Sequence, residues 1–151
     1  MRGPRIYLAI DNCFASKRWT RPSEWMEITK SLGLNCIEAS TDNECDPLYT
    51  NHEYLKDWMK EVNDCAQKTG AKVVNFYSGH GTYYTLGLGH TDKRIRDRIL
   101  NDWLKPLVQM ASRLETGAGF FCHAFSDDTL QNKEEYFKAE EELYERLANL
   151  T

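Results

Sequence analysis

Four short apolar runs punctuate the chain, at Ile6–Phe14, Asn35–Ser40, Lys72–Ser78 and Gly119–Phe125, and a longer stretch with helical periodicity follows each. Short apolar runs bounded by turn residues predict strands, and apolar residues recurring every three or four positions predict amphipathic helices. Polar residues gather behind each strand run: Asp11-Asn12, Glu38, Ser78-Gly79-His80, and His123 with Asp127-Asp128. Strands alternating with helices make parallel βα units. In parallel α/β proteins the chemistry collects at the carboxyl ends of the strands. The pattern therefore predicts where a site lies before any residue has a role.

The first unit reads as a strand at Ile6–Asp11, a loop through Trp19 and a helix from Pro22 to Leu32. Pro22 suits a first helical turn and Gly33 a C-terminal cap. The second strand is Cys36–Ala39. Its helix, His52–Thr69, puts Leu55, Trp58, Met59, Val62, Cys65 and Ala66 on one stripe and ends at Gly70. The third strand, Lys72–Tyr77, runs into Gly79-His80-Gly81. A helix starting near Asp92 follows, with Ile95, Ile99, Trp103, Leu107, Met110 and Leu114 on its apolar side. Pro106 inside it predicts a kink or a break, because proline has no N–H to donate to the preceding turn. The last helix begins near Asn132, with Glu134 and Glu135 placed to favour its dipole.

Length and composition narrow the class. With 151 residues and no linker or low-complexity tract, residues 1–151 are expected to form a single domain. A 41% hydrophobic, 28% charged chain is in the range of soluble globular proteins. The net charge of −4 argues against a nucleic-acid partner, which would need a basic face. The basic cluster Lys93-Arg94-Arg96-Arg98 is interleaved with apolar residues and reads as a solvated helix face. No apolar run approaches a membrane span and no signal peptide is evident, so neither a membrane nor export is expected. Five cysteines without a CxxC pair read as small buried thiols, with Cys13, Cys36 and Cys122 in strands and Cys65 on a helix stripe. The expected setting is the reduced cytoplasm.

Four parallel units can close as a small open sheet covered on both faces, or as one half of an eight-stranded (β/α)8 barrel. Several stretches bear on the choice. Leu32-Gly33-Leu34-Asn35-Cys36-Ile37-Glu38 is similar to a helix-Gly-strand signature in which the second strand ends on a glutamate. Gly70-Ala71-Lys72-Val73-Val74-Asn75 followed by Gly79-His80-Gly81, together with the opening run Ile6–Phe14 and Phe121-Cys122-His123, continues the likeness. In order and spacing these resemble the N-terminal half of the xylose-isomerase-like TIM-barrel superfamily, the sugar and sugar-phosphate isomerases and epimerases. The resemblance covers nearly the whole chain. It implies four consecutive parallel βα units forming a half-barrel.

The resemblance also implies chemistry. Those enzymes hold one divalent metal (Mn, Mg, Co or Zn) with two glutamates, an aspartate and a histidine from the last four strands, and their base glutamates lie there too. The chain is thus expected to be the substrate-recognising half of a sugar or sugar-phosphate isomerase or epimerase, with no catalytic residue or metal ligand of its own. The metal-holding half is expected beyond Thr151 or in a second chain, so a homo-oligomer or a complementary half-barrel partner is expected. A non-catalytic small-ligand-binding α/β module, or an inactive fragment, is the alternative.

Each recognition candidate has a second reading. His80, flanked by glycines that let backbone approach a ligand, can donate to a sugar oxygen or serve only as a turn residue. His123 can do the same or be a core histidine bonded to backbone. Glu38 ends an apolar strand, where an unpaired carboxylate is costly to bury, so it orients a hydroxyl or pairs with a cation. Asp11 and Asn12 occupy the same place on the first strand. Phe14, Trp19 and Tyr83 are candidate aromatic walls. Trp25, Trp58 and Trp103 fall at core spacing, and Glu140-Glu141-Glu142 reads as a solvated helix face.

Overall fold

A computed structural model describes residues 6–79, 85–121 and 131–150. Among these residues the strands β1 (Ala9–Asp11), β2 (Cys36–Ser40), β3 (Lys72–Ser78) and β4 (Gly117–Phe120) form one parallel sheet in the order β1-β2-β3-β4. Helix α1 (Pro22–Ser31) follows β1 and α2 (His52–Thr69) follows β2. After β3 come α3 (Lys93–Arg98), a π-helical segment Ile99–Leu104 and α4 (Lys105–Arg113), and α5 (Lys133–Ala148) closes the described chain. Sequential neighbours in strict order are what consecutive right-handed βαβ crossovers give.

The helices form where the sequence supplies both a stripe and stops. Asn51 caps α2 by accepting from the Tyr54 amide, and Gly70, at φ 75°, ends it in the left-handed region. Leu55, Trp58, Met59, Val62 and Cys65 on its stripe are buried. Burying each large apolar side chain is worth about 1.5–3 kcal/mol. They meet Ile37, Ala39, Val73 and Phe76 from the sheet and Trp25 and Met26 from α1. The ring of Trp58 lies 5.9 Å from Phe76 and 6.3 Å from Trp25. A second cluster gathers Leu88, Ile99, Trp103, Leu104 and Leu143, so Trp25, Trp58 and Trp103 are all core residues.

Pro106 has an identifiable effect. The turns before it are π-helical, and the Lys105 amide bonds to the Leu100 carbonyl, five residues back. That widened register absorbs the missing N–H and the ring without ending the helix.

Two boundaries differ from expectation. The opening strand is confined to Ala9–Asp11, and Asn12–Ala15 coil into a 3-10 turn because Asp11 turns back to accept the Cys13 amide at 2.7 Å. Ile6, Tyr7 and Leu8 are described but lie outside any strand, and all three are exposed. Cys13 is consequently neither in a strand nor buried; it is exposed in that turn, whereas Cys36, Cys45 and Cys65 are buried free thiols. The fourth strand begins two residues earlier than expected, at Gly117. Cys122, His123 and Asp127-Asp128 lie outside the described residues. No described helix is long and apolar enough to cross a membrane.

Candidate functional site

Register decides which side chains share a face. Asp11 pairs with Glu38, Glu38 with Asn75, and Asn75 with Gly117, making one row across four strands. Neighbours across parallel strands point to the same side of the sheet. The row above holds Ser40, Tyr77 and Gly119. The opposite face, carrying Ile10, Ile37, Val73 and Phe76, packs against the helices.

A bulge sets this arrangement. Ile37 pairs with Val73 but Glu38 pairs with Asn75, so Val74 is an extra residue on β3. Such a bulge re-aims the side chains that follow it. It brings Asn75 opposite Glu38 while Phe76 turns into the core. The Asn75 Nδ2 then donates to Glu38 Oε1 at 2.6 Å. The Asn75 amide spreads over β4, where a Cβ on Gly117 would meet its Oδ1 at 2.6 Å. Glycine at 117 is therefore what lets the amide lie flat beside the carboxylate. Gly117 and Ala118 are exposed, and Glu38 and Asn75 are half-buried.

The loop after β2 locks the tips of β2 and β3 together. The Thr41 amide donates to the Tyr77 carbonyl at 2.9 Å. Asp42 Oδ1 accepts from the Ser78 hydroxyl at 2.9 Å, and Ser78 Oγ accepts from the Trp103 indole at 3.2 Å. The Asp42 carboxylate also accepts from the Gly79 amide. This chain of bonds fixes the backbone at the tip of β3.

The expected recognition residues fall into three groups. Glu38 and Asp11 stand on one row of the open face. Asp11 also caps the turn after β1. Asn12 is buried, and its Oδ1 accepts from the Ser40 amide at 2.7 Å and from Asn43 Nδ2 at 3.2 Å, tying the tip of β1 to β2. Phe14 and Trp19 pack edge to face, ring centres 6.3 Å apart, against the helix-side core. His80, His123 and Tyr83 lie outside the described residues.

Asn75, Asp42 and Ser78 were not among the candidates. Asn75 interrupts an otherwise apolar strand, and that polar residue was the available signal.

Charge adds one local feature. Partial burial and the nearby Asp11 carboxylate push the Cys13 thiol above its ordinary range, against a lowering contact from Ser40. In the loop between β2 and α2, burial pushes the Cys45 thiol well up, with Asp46, Glu44 and Asp42 adding to it.

Among the described residues no group of three or more His, Cys, Asp or Glu side chains converges as metal ligands.

Four consecutive parallel βα units, one face helix-covered and the other lined with polar residues, define the half-barrel class of α/β architecture. Two solved structures share it over nearly the whole of this chain. A candidate xylose isomerase from Rhodospirillum rubrum superposes with a TM-score of 0.80 at 18% identity, over 97% of this chain and 49% of that one. D-psicose 3-epimerase from Clostridium cellulolyticum, solved with D-tagatose, gives 0.57 at 14% identity, over 96% of this chain and 50% of that one. The chain spans about half the length of each. At these identities the likeness shows the fold alone, that of one half of a TIM barrel. No protein-family model matches the sequence, and no curated protein does.

Proposed function

We propose that this chain is the substrate-recognising half of a sugar or sugar-phosphate isomerase or epimerase. The observation that carries the reading is the row Asp11, Glu38, Asn75 and Gly117 on the uncovered sheet face of a fold shared with a candidate xylose isomerase and a D-psicose 3-epimerase. A carboxylate held by an amide, beside a strand stripped to glycine, leaves room and hydrogen-bonding capacity for a polyhydroxylated ligand. In this reading Glu38 and Asp11 accept from sugar hydroxyls. His80 and His123, which lie outside the described residues, are assigned the role of donors to ligand oxygens. Asn12, Phe14 and Trp19, expected as ligand contacts, instead support the tip of the first strand from the core side.

Moving a proton next to a carbonyl needs a base tuned to that task and an electrophile for the enediolate. The proposal assigns both, with the divalent metal, to the other half of the barrel. It treats residues 1–151 as one half-barrel domain. Its unpaired edges, β1 and β4, meet a second copy or a chain carrying the remaining units, because open edges invite pairing.

Incubation with ketohexoses and ketose phosphates in deuterated water, with Mn²⁺, Mg²⁺ or Co²⁺, tests the division of labour. The expectation is ligand binding without deuterium incorporation by this chain alone. Incorporation by the isolated chain would overturn the assignment of base and metal to the other half. Size-exclusion with light scattering tests the pairing, and a soluble, stable monomer would overturn it.

A further inference from the structure

Trp58 is 5% exposed, and its indole Nε1 has no hydrogen-bond partner among the described residues. A buried N–H without an acceptor is costly, so native interiors supply one, either a protein group or an ordered water. Trp58 borders a small interior cavity of about 10 Å³, shared with Asn12, Trp19, Trp25, Ser40 and Glu44. That volume is about what a single water needs by the same measure. Asn12, Ser40, Asn43 and Glu44 contribute polar residues to its lining. The Asn12 Oδ1 there is engaged by the Ser40 amide and Asn43. Glu44 is half-buried, and its carboxylate takes part in no hydrogen bond or ion pair among the described residues.

We propose that this cavity is a built site for one ordered water molecule, which accepts the Trp58 Nε1–H and donates to the Glu44 carboxylate. Donor, acceptor and volume coincide in it, and a dry cavity would leave the indole N–H buried and unpaired. The water joins α2 to the loop between β2 and α2, just behind the Asn12–Ser40 bond that ties the first two strand tips. It makes the back wall of the strand-tip region rigid without touching the open sheet face. The inference does not depend on the sugar-binding proposal.

Water–indole cross-relaxation tests it on the unaltered chain labelled with ¹⁵N-tryptophan. Four indole signals are expected, one for each tryptophan. Trp58 is the one lost in Trp58→Phe, and its contacts to the Phe76 ring assign it should that variant not fold. The proposal expects a cross-peak at the water frequency that has the sign of the diagonal in the NOE spectrum and the opposite sign in the ROE spectrum. That pair of signs marks a water residing in place. A cross-peak with the sign of the diagonal in both spectra, meaning exchange with bulk solvent, would overturn it. So would no cross-peak in a folded sample.

Discussion

Gly117→Ala is the most informative single change, because one added methyl tests the arrangement of the open sheet face. The new Cβ falls 2.6 Å from Asn75 Oδ1, while the next atoms, Asn75 Cγ and the Val74 carbonyl, lie at 3.6 and 3.8 Å. Gly117 sits in an ordinary strand, so the backbone accepts alanine and the whole effect passes through the Asn75 amide. The amide must turn, and turning breaks its 2.6 Å bond to Glu38. A hydrogen bond to a charged group is worth about 1.5–3 kcal/mol. Alanine returns about 0.4–1 kcal/mol by restricting the unfolded chain. The net expectation is a loss of about 0.5–2.5 kcal/mol, which for a chain of this size lowers Tm by a few degrees. In an Asn75→Ala background the obstructing amide is gone, and the same Gly117→Ala change becomes neutral or stabilising by about 0.4–1 kcal/mol. Urea denaturation of the four proteins of this cycle, followed by circular dichroism, reads the sign. An equal loss in both backgrounds would refute the close approach of Asn75 to β4.

Other outcomes follow from different parts of the molecule. Phe76→Ala removes a fully buried ring that contacts Trp58 and should cost about 3–5 kcal/mol in urea denaturation, and a cost under about 1 kcal/mol would mean the ring is not in the core. In a Cys122→Ser background, Cys13 should be the first thiol to react with a disulfide reagent, since Cys36, Cys45 and Cys65 are buried. Its rate should still be climbing with pH past 9.0, because burial and Asp11 hold its thiol above that value, and a plateau below 9.0 contradicts this. The Asp92 carboxylate, capping α3, is held below 3.8 by the Arg94 guanidinium first and the Arg94 amide second. Its folded value is depressed, so its contribution is complete above 3.8 and is lost as pH falls through the folded value. An NMR titration of that carboxyl should have its midpoint below 3.8, and one at or above 3.8 would dismiss the cap.

Legibility varied with the physical cause. Helix α2 can be read from its sequence to the residue, because an apolar stripe, an Asn51 cap and a Gly70 stop are all local signals. The effect of Pro106 is local too, although its form, a π-helical stretch rather than a break, depends on Trp103 and Leu104 staying in the core. The opening strand was over-read because Ile6, Tyr7 and Leu8 are apolar yet exposed, and hydrophobicity alone does not supply a pairing partner. The row across the open face was only half legible. Glu38 is conspicuous as a carboxylate ending an apolar strand. Asn75 becomes its neighbour only through the bulge at Val74, a two-against-one pairing that no single strand encodes. Asn12 is conspicuous as a polar residue at a strand tip, but its place in the tie to Ser40 and Asn43 depends on residues far along the chain.

The central claim is that the open face and tips of this sheet bind a sugar, and a ¹H–¹⁵N titration of the chain with D-psicose, D-tagatose and a ketose phosphate tests it most directly. The account predicts saturable shifts at the amides of Asp11, Glu38, Asn75, Gly117 and Gly119, weakened in Glu38→Gln. Shifts confined to the helix-covered side, or none that saturate, would contradict it.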